Sequence, residues 1–452
     1  MRGLHRAGWG SRPMRSRDGA GVALRLVPLL GLALAAALVW WPTGPRVPAR
    51  IILIVIDTLR RDYLSCYGST TPTPHIDAMA ARGQVFTNAV SSYHQTSMSM
   101  AALFTGHTPS ISSGDPERSL PWTGTTWCGL SRFATRDARE CVPTGVPTLA
   151  EELGAAGYWT VGVVSNALLF RPYGYDRGFR EWIQVGRPWR APNDAGVVNQ
   201  AVRDWLARRP SDRFFLYVHY MDVHGRSAKG ASFDAATQDG AYAAAVVATD
   251  TAIGELLGAL DAAGLGDDTA IVLTGDHGEA LGETRLQTGI SGHSGNPSFE
   301  PVLRVPLIVL PAPGNDSAHP IRTEDVFRMI KHLAGLPSPE PGELEPDELL
   351  LEEIKFRTYR KGNWKSIWPR ANPVAVEGLP KTFGHLTKPV LFNVTDDPNE
   401  AVDVAERYPE IVAAHRKRID ALTEKLAAAP VVGATLSPLD RKRLQKLGYL
   451  AE

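Results

Sequence analysis

The chain is 452 residues long, 44% hydrophobic and 21% charged, with 48 basic residues balanced by 48 acidic ones. That length suits one large domain plus a smaller one. The zero net charge, with no basic stripe carrying interleaved aromatics, argues against a nucleic-acid partner.

The first segment differs in kind from the rest. Residues 1–25 carry Arg2, Arg6, Arg12, Arg15, Arg17 and Arg25, with Asp18 the only acid. Leu26 to Trp41 is uncharged and mostly Leu, Ala and Val, and Trp40, Trp41 and Pro42 close it as at a membrane interface. The pattern predicts a cytoplasmic Arg-rich terminus (1–25) and a signal anchor at 26–42. A signal peptide cleaved after Ala35-Ala36-Ala37 is the alternative. Either way the remainder lies outside the cytoplasm, periplasmic or at the cell surface. Cys128 and Cys141 can form a local disulfide there, leaving Cys66 as a small buried apolar residue.

Residues 50–57, Arg-Ile-Ile-Leu-Ile-Val-Ile-Asp, form an apolar run without alternation, so they predict a strand buried on both faces. Asp57 then stands at its carboxyl end, where open α/β sheets place ligands. Its partner is either Arg60 or Arg61, which follow at once, or a metal ion. Thr73-Pro74 starts a helix that Gly83 stops. Thr96, Ser97 and Ser99 precede Ala101–Phe104 and the stop signal Gly106, which sets them at a helix N-terminus that favours anions. Ser and Thr are also ordinary helix caps. Thr148-Leu-Ala-Glu151 is a capping box whose helix ends at Gly157.

Strands are expected at Tyr158–Val164, Arg213–Tyr220 and Ala270–Leu273, with helices around Val197–Leu206 and 240–263 between them. The alternation predicts an α/β fold, a large mostly parallel sheet flanked by helices, over 50–335. The stretch 311–348 is rich in Pro, Gly and acids, and parts of it read as linker. From 350 to 452 a smaller α+β subdomain is expected, with strands in Lys355–Trp368 and Val390–Val394, a charged helix at Val402–Leu426 and a short amphipathic helix at the end.

In a parallel sheet the strand ends share one edge. Asp57, Asn166, Asp222 with His224, and Asp276 with His277 each follow a predicted strand, so these groups can meet. Two carboxylates and a histidine can hold a hard or borderline divalent cation.

These residues carry a family resemblance over about 50–450. The ordered motifs are Ile-Val-Ile-Asp-Thr-Leu-Arg-Arg-Asp-Tyr-Leu-Ser-Cys-Tyr-Gly (54–68), Thr-Pro-His-Ile-Asp (73–77), the Thr96 segment ending Leu-Phe-Thr-Gly, and Gly-Tyr-Asp-Arg-Gly-Phe (174–179). Val-His-Tyr-Met-Asp-Val-His (218–224), Thr-Gly-Asp-His-Gly-Glu-Ala-Leu-Gly-Glu (274–283), Arg-Val-Pro-Leu-Ile-Val (304–309) and Leu-Phe-Asn-Val-Thr-Asp-Asp-Pro-Asn-Glu (391–400) follow. The chain resembles the sulfatases of the alkaline phosphatase superfamily. The resemblance implies that Asp57, Thr96, Asp276 and His277 bind a divalent metal (Ca, Mg, Mn or Zn) and that Thr96 is the nucleophile. It implies that His224 contacts the transferred group or leaving oxygen, and that Asn166 and His293 bind the substrate anion.

The departures are informative. Typical sulfatases mature a Cys or Ser within Cys/Ser-x-Pro-x-Arg to formylglycine. Here Thr96 takes that place, Met98 replaces the Pro and Met100 the Arg, so no formylglycine is expected. Thr58 replaces the second acid of the usual Asp-Asp pair, and His277 stands where many sulfatases have Asn. The expectation is a metal-dependent hydrolase of sulfate or phosphate esters working through a covalent Thr96 intermediate, with a small-molecule, lipid or glycan ester as substrate. The alternatives are a phosphotransferase moving a phospholipid headgroup to a lipid or glycan acceptor, and an inactive anion-binding member.

Overall fold

The computed structural model describes residues 47–425 apart from 108–141, 143–145, 167, 170, 172–173, 186–194, 225–234, 267, 284–291, 294–297, 315–319, 338–343, 346, 353–355 and 370–385. The expected anchor at 26–42, the Cys128–Cys141 pair and the terminal amphipathic helix lie outside the described residues.

The strands in chain order are β1 (Arg50–Ile56), β2 (Gln84–Val85), β3 (Ala89–Val90), β4 (Trp159–Val164), β5 (Glu181–Gln184), β6 (Phe214–Tyr220), β7 (Thr269–Gly275), β8 (Leu307–Leu310) and β9 (Ile321–Arg322), followed by β10 (Glu348–Glu352), β11 (Phe356–Lys361), β12 (Trp364–Pro369) and β13 (Val390–Asn393). Seven of them make one sheet in the order β2-β8-β7-β1-β6-β4-β5. β1 runs parallel between β6 and β7, and Ile51 to Ile56 have no exposed surface. Each buried aliphatic side chain there contributes about 1.5–3 kcal/mol. Only β8, antiparallel to its neighbours β7 and β2, breaks the parallel pattern.

Side chains alternate across β1, so Ile51, Leu53 and Val55 face one way and Ile52, Ile54 and Ile56 the other. The first set packs with helices Thr96–Thr105, Leu149–Ala155 and Thr323–Leu333. The second packs with Pro74–Arg82, Ala195–Arg208 and Ala235–Ala262. Thr148 caps its helix with the expected box, accepting from the Glu151 N–H while Glu151 accepts from the Thr148 N–H. Among the described residues one stretch, Asp239–Ala262, is long and apolar enough to cross a membrane. Its Tyr242, Val246, Ile253, Leu256 and Leu260 are packed into the core under the sheet.

The C-terminal part is a four-stranded antiparallel sheet in the order β10-β11-β12-β13. The expected strand region Lys355–Trp368 is a hairpin, folded at Gly362, whose φ is +56°. The stretch 311–348, parts of which read as linker, contains the helix Thr323–Leu333, which buries Val326, Phe327, Met329 and Ile330. The expected helix at Val402 begins at Pro409, after a 3-10 turn at Ala405–Arg407. Proline is favoured in the first turn, where its missing N–H costs nothing.

Candidate active site

The sheet register brings the site together. Ile56 is level with Tyr220 and with Gly275, so Asp57 and Asp276 emerge side by side beyond the strand ends. Asp57 continues the alternation of Leu53 and Val55 and faces the helix Thr96–Thr105. That helix starts at Thr96, and its N-cap residue Gln95 makes no side-chain capping bond. The N-terminal end of the helix therefore lies beside Asp57.

Thr96 Oγ1 donates to Asp57 Oδ2 at 3.2 Å and lies 3.3 Å from His277 Nε2. His277 Nδ1 donates to the Gly278 carbonyl at 2.9 Å, which leaves Nε2 with its lone pair toward Thr96. Asp276 Oδ1 accepts the N–H groups of Thr58 (3.0 Å) and His277 (2.8 Å). Thr58 reaches this position in a left-handed conformation, φ +58°, with its hydroxyl turned onto the Asp57 carbonyl at 2.7 Å. A β-branched residue there is strained. Ser99, one turn into the helix, donates to the Asp276 carbonyl at 2.6 Å and locks helix to loop.

Asp57 and Asp276 are fully buried, and Asp57 Oδ1 and Asp276 Oδ2 have no hydrogen-bond partner among the described residues. Burial raises the Asp57 carboxyl, but His224, His219 and His277 outweigh it and hold it well below the usual carboxylate range. Burial and the adjacent Asp57 push Asp276 up. Two buried carboxylates, each with a bare oxygen and an imidazole nitrogen beside them, form a donor set that fits a divalent cation.

Arg60 does not neutralise Asp57. Its guanidinium turns away to Asp62 at 2.7 Å and to Glu283, and donates to the Glu279 carbonyl at 3.0 Å. Asp222 is also turned elsewhere, accepting the Ala195 N–H at 2.9 Å at the start of a helix.

His224 and His293 stand beside the site, with ring centroids 5.4 Å apart, and His293 lies 4.4 Å from His277. Burial pulls His224 down to about 4, so it is neutral near pH 7. For His293 burial acts the same way, but Glu279, with both oxygens 3.1 Å from Nδ1, outweighs it and raises the imidazole. The side-chain amide of Asn166 donates to Asp57 Oδ2 at 2.6 Å, and its carbonyl accepts the Leu168 N–H at 2.7 Å.

One residue here escaped the sequence reading. His219 lies inside β6, level with Val55 and Val164, and its ligand atom groups with those of Asp57 and Asp276 within 4.8 Å. Its signal was present in the alternation Phe215, Tyr217, His219, which puts it on the Asp57 face, but only the register makes that visible.

The family model described as Sulfatase matches residues 49–336. An N-acetylgalactosamine-6-O-sulfatase of Bacteroides thetaiotaomicron is 24% identical, the match covering 80% of this chain and 90% of the relative. A steryl-sulfatase of Mus musculus is 26% identical over 88% of this chain and 84% of its own length. The crystal structure of the phosphonate monoester hydrolase of Agrobacterium radiobacter shares the fold with a TM-score of 0.60 at 16% identity, covering 86% of this chain and 100% of that one.

Proposed function

This chain belongs to the sulfatase family, and on that premise we propose that it is a metal-dependent ester hydrolase using Thr96 as nucleophile, with phosphate esters preferred over sulfate esters. The observation that carries this reading is the Thr96 hydroxyl, set between Asp57 and His277 at a helix N-terminus. A formylglycine hydrate expels sulfate by elimination through its second hydroxyl. Threonine has no route to formylglycine, and its ester breaks down only by attack on phosphorus or sulfur.

Asp57, Asp276, His277 and Thr96 would hold the cation. Bound there, a divalent ion supplies Lewis acidity that favours the Thr96 alkoxide and offsets negative charge on the substrate. The residues do the rest. Thr96 Oγ1, its proton released to solvent when the cation binds, would bond to phosphorus as the bond to the leaving oxygen breaks, with Asp57 orienting it through the contact at Oδ2. The positive end of the helix Thr96–Thr105 would offset charge on the equatorial oxygens. His224, as neutral imidazole, donates a hydrogen bond to the leaving oxygen, and the His293 imidazolium supplies that oxygen's proton. Water then attacks phosphorus, its proton restores His293, and the phosphorus–Thr96 bond breaks to return Thr96 to its starting state. Asn166 borders the anion while steadying Asp57.

Purified protein assayed with an aryl phosphate and an aryl sulfate under several metals tests the preference, and faster sulfate turnover overturns it. Thr96→Ala is expected to lower turnover at least 1,000-fold, on the order seen when a nucleophile is removed; unchanged turnover in a metal-replete assay removes Thr96 from the role. The reading places the enzyme outside the cytoplasm, anchored through 26–42, with residues 50–335 as its catalytic domain and 350–452 as a C-terminal subdomain. Protease accessibility in intact cells tests that placement.

A further inference from the structure

Three groups crowd the same oxygen of Asp57. Asn166 Nδ2 lies 2.6 Å from Oδ2, Thr96 Oγ1 3.2 Å and His219 Nε2 3.3 Å, while Oδ1 accepts nothing among the described residues. His219 and Tyr217 both lie on the Asp57 face of β6 and are fully buried. The Tyr217 hydroxyl is 2.6 Å from His219 Nδ1, and among the described residues it has no other hydrogen-bond partner.

We infer that His219 is not a ligand of the cation but a positioning residue that donates to Asp57, with Tyr217 fixing its tautomer. If Nδ1 carried the hydrogen, the Tyr217 hydroxyl would accept from it and bury its own proton without an acceptor. It would also turn the Nε2 lone pair onto a carboxylate. With the hydrogen on Nε2, the chain Tyr217 O–H to Nδ1, then Nε2–H to Asp57 Oδ2, satisfies every group. His277 is the opposite case. A backbone carbonyl takes its Nδ1–H, so its Nε2 is free to bind metal, the usual arrangement of a ligating histidine. The cluster of Asp57, His219 and Asp276 therefore sorts into two ligands and one orienting donor. Asp57 Oδ2 is held by side chains, and Oδ1 is presented to the cation.

This inference rests on the reading that the site binds a divalent cation, so its test has an arm that needs none. In metal-free protein labelled with 15N-histidine, the His219 ring, assigned by its loss in His219→Gln, is expected as the Nε2–H tautomer. A Nδ1–H tautomer overturns the inference. In Zn2+-loaded protein, X-ray absorption is expected to count the same number of imidazole ligands in wild type and His219→Gln, while Zn2+ affinity falls 10- to 100-fold as for other outer-shell partners. Loss of one imidazole scatterer, or an unchanged affinity, overturns it. Should His219→Gln fail to fold, Tyr217→Phe keeps the ring in place. In that variant His219 is expected to become a mixture of tautomers and Zn2+ affinity to drop with the imidazole count unchanged; a single Nε2–H tautomer and wild-type affinity overturn the inference. Wild-type protein that binds no Zn2+, Mn2+ or Ca2+ refutes the cation reading, while the tautomer still decides the role of His219.

Discussion

Met98 and Met100 have no exposed surface, and Met100 packs in the apolar cluster on the Thr96 side of the sheet. On the proposed alignment, with Thr96 at the formylglycine position, these are the places of the Pro and Arg of typical sulfatases, and core packing stands where a charged surround would. Restoring the charge alone should fail. Met100→Arg is expected to destabilise the fold by about 3–5 kcal/mol, the cost of an unpaired buried charge, measured by urea unfolding; a loss below about 1 kcal/mol would mean the guanidinium finds a carboxylate. Asp57, Thr96, Asp276 and His277 were legible in the sequence because each sits where a strand ends or a helix begins, and a polar group there has a standard reason to face a ligand. His219 was not, because it lies mid-strand and its direction depends on pairing with Val55. Arg60, weighed beside a metal ion as the partner of Asp57, is sent the other way by the turn at Thr58.

At the scale of elements, boundaries with local chemistry were readable and those set by packing were not. The capping box at Thr148 and the proline start at Pro74 stand where expected. The helix Thr323–Leu333 was obscured by flanking Pro and Gly and by five charged or titratable residues among its eleven. Its stability comes from tertiary contact, with Phe327 packed closely against Gly106 at the end of the Thr96 helix. In the C-terminal subdomain the helix Pro409–Lys425 seats His415 against Ser366 of β12, with Nδ1 at 2.8 Å from the hydroxyl. Burial lowers His415 from 6.5 to about 4, against a weaker opposing pull from Glu348. Because the folded value is depressed, the unfolded chain takes up the proton first as pH falls. The contribution is present above pH 6.5 and is lost progressively toward pH 4. Linkage puts the loss by pH 5 at about 2 kcal/mol. His415→Gln should flatten the stability profile between pH 7 and pH 5 in denaturant titrations, and an unaltered slope would assign the acid sensitivity elsewhere.

Across the whole molecule, the small sheet is wired to the loop that bears Asp276 and His277. Lys365 of β12, fully buried, lies 3.1 Å from Glu300 and 2.9 Å from Glu400. Glu300 opens the short helix Glu300–Leu303, whose Val302 carbonyl accepts the Gly278 N–H at 2.7 Å. Phe299 adds apolar contact to Phe392 of β13, with ring centroids 5.9 Å apart. Lys365→Met should take the cation from Glu400 while Glu300 keeps Arg304 and Arg360, at a cost of about 3 kcal/mol, and the double change with Glu400→Gln should recover part of it; no recovery would show that the two groups act independently. The helix Thr96–Thr105 is buried at all ten of its positions, which constrains how the proposed nucleophile moves. A nucleophile on a loop can fray open while the rest of the protein stays folded. This one has no private route to solvent, so its amide protons should exchange with deuterium about as slowly as those of β1, through opening of the whole domain. Faster exchange confined to Thr96–Thr105 would reveal a separately breathing segment. Otherwise the proposed nucleophile is as durable as the protein that carries it, and the substrate alone supplies the motion of approach.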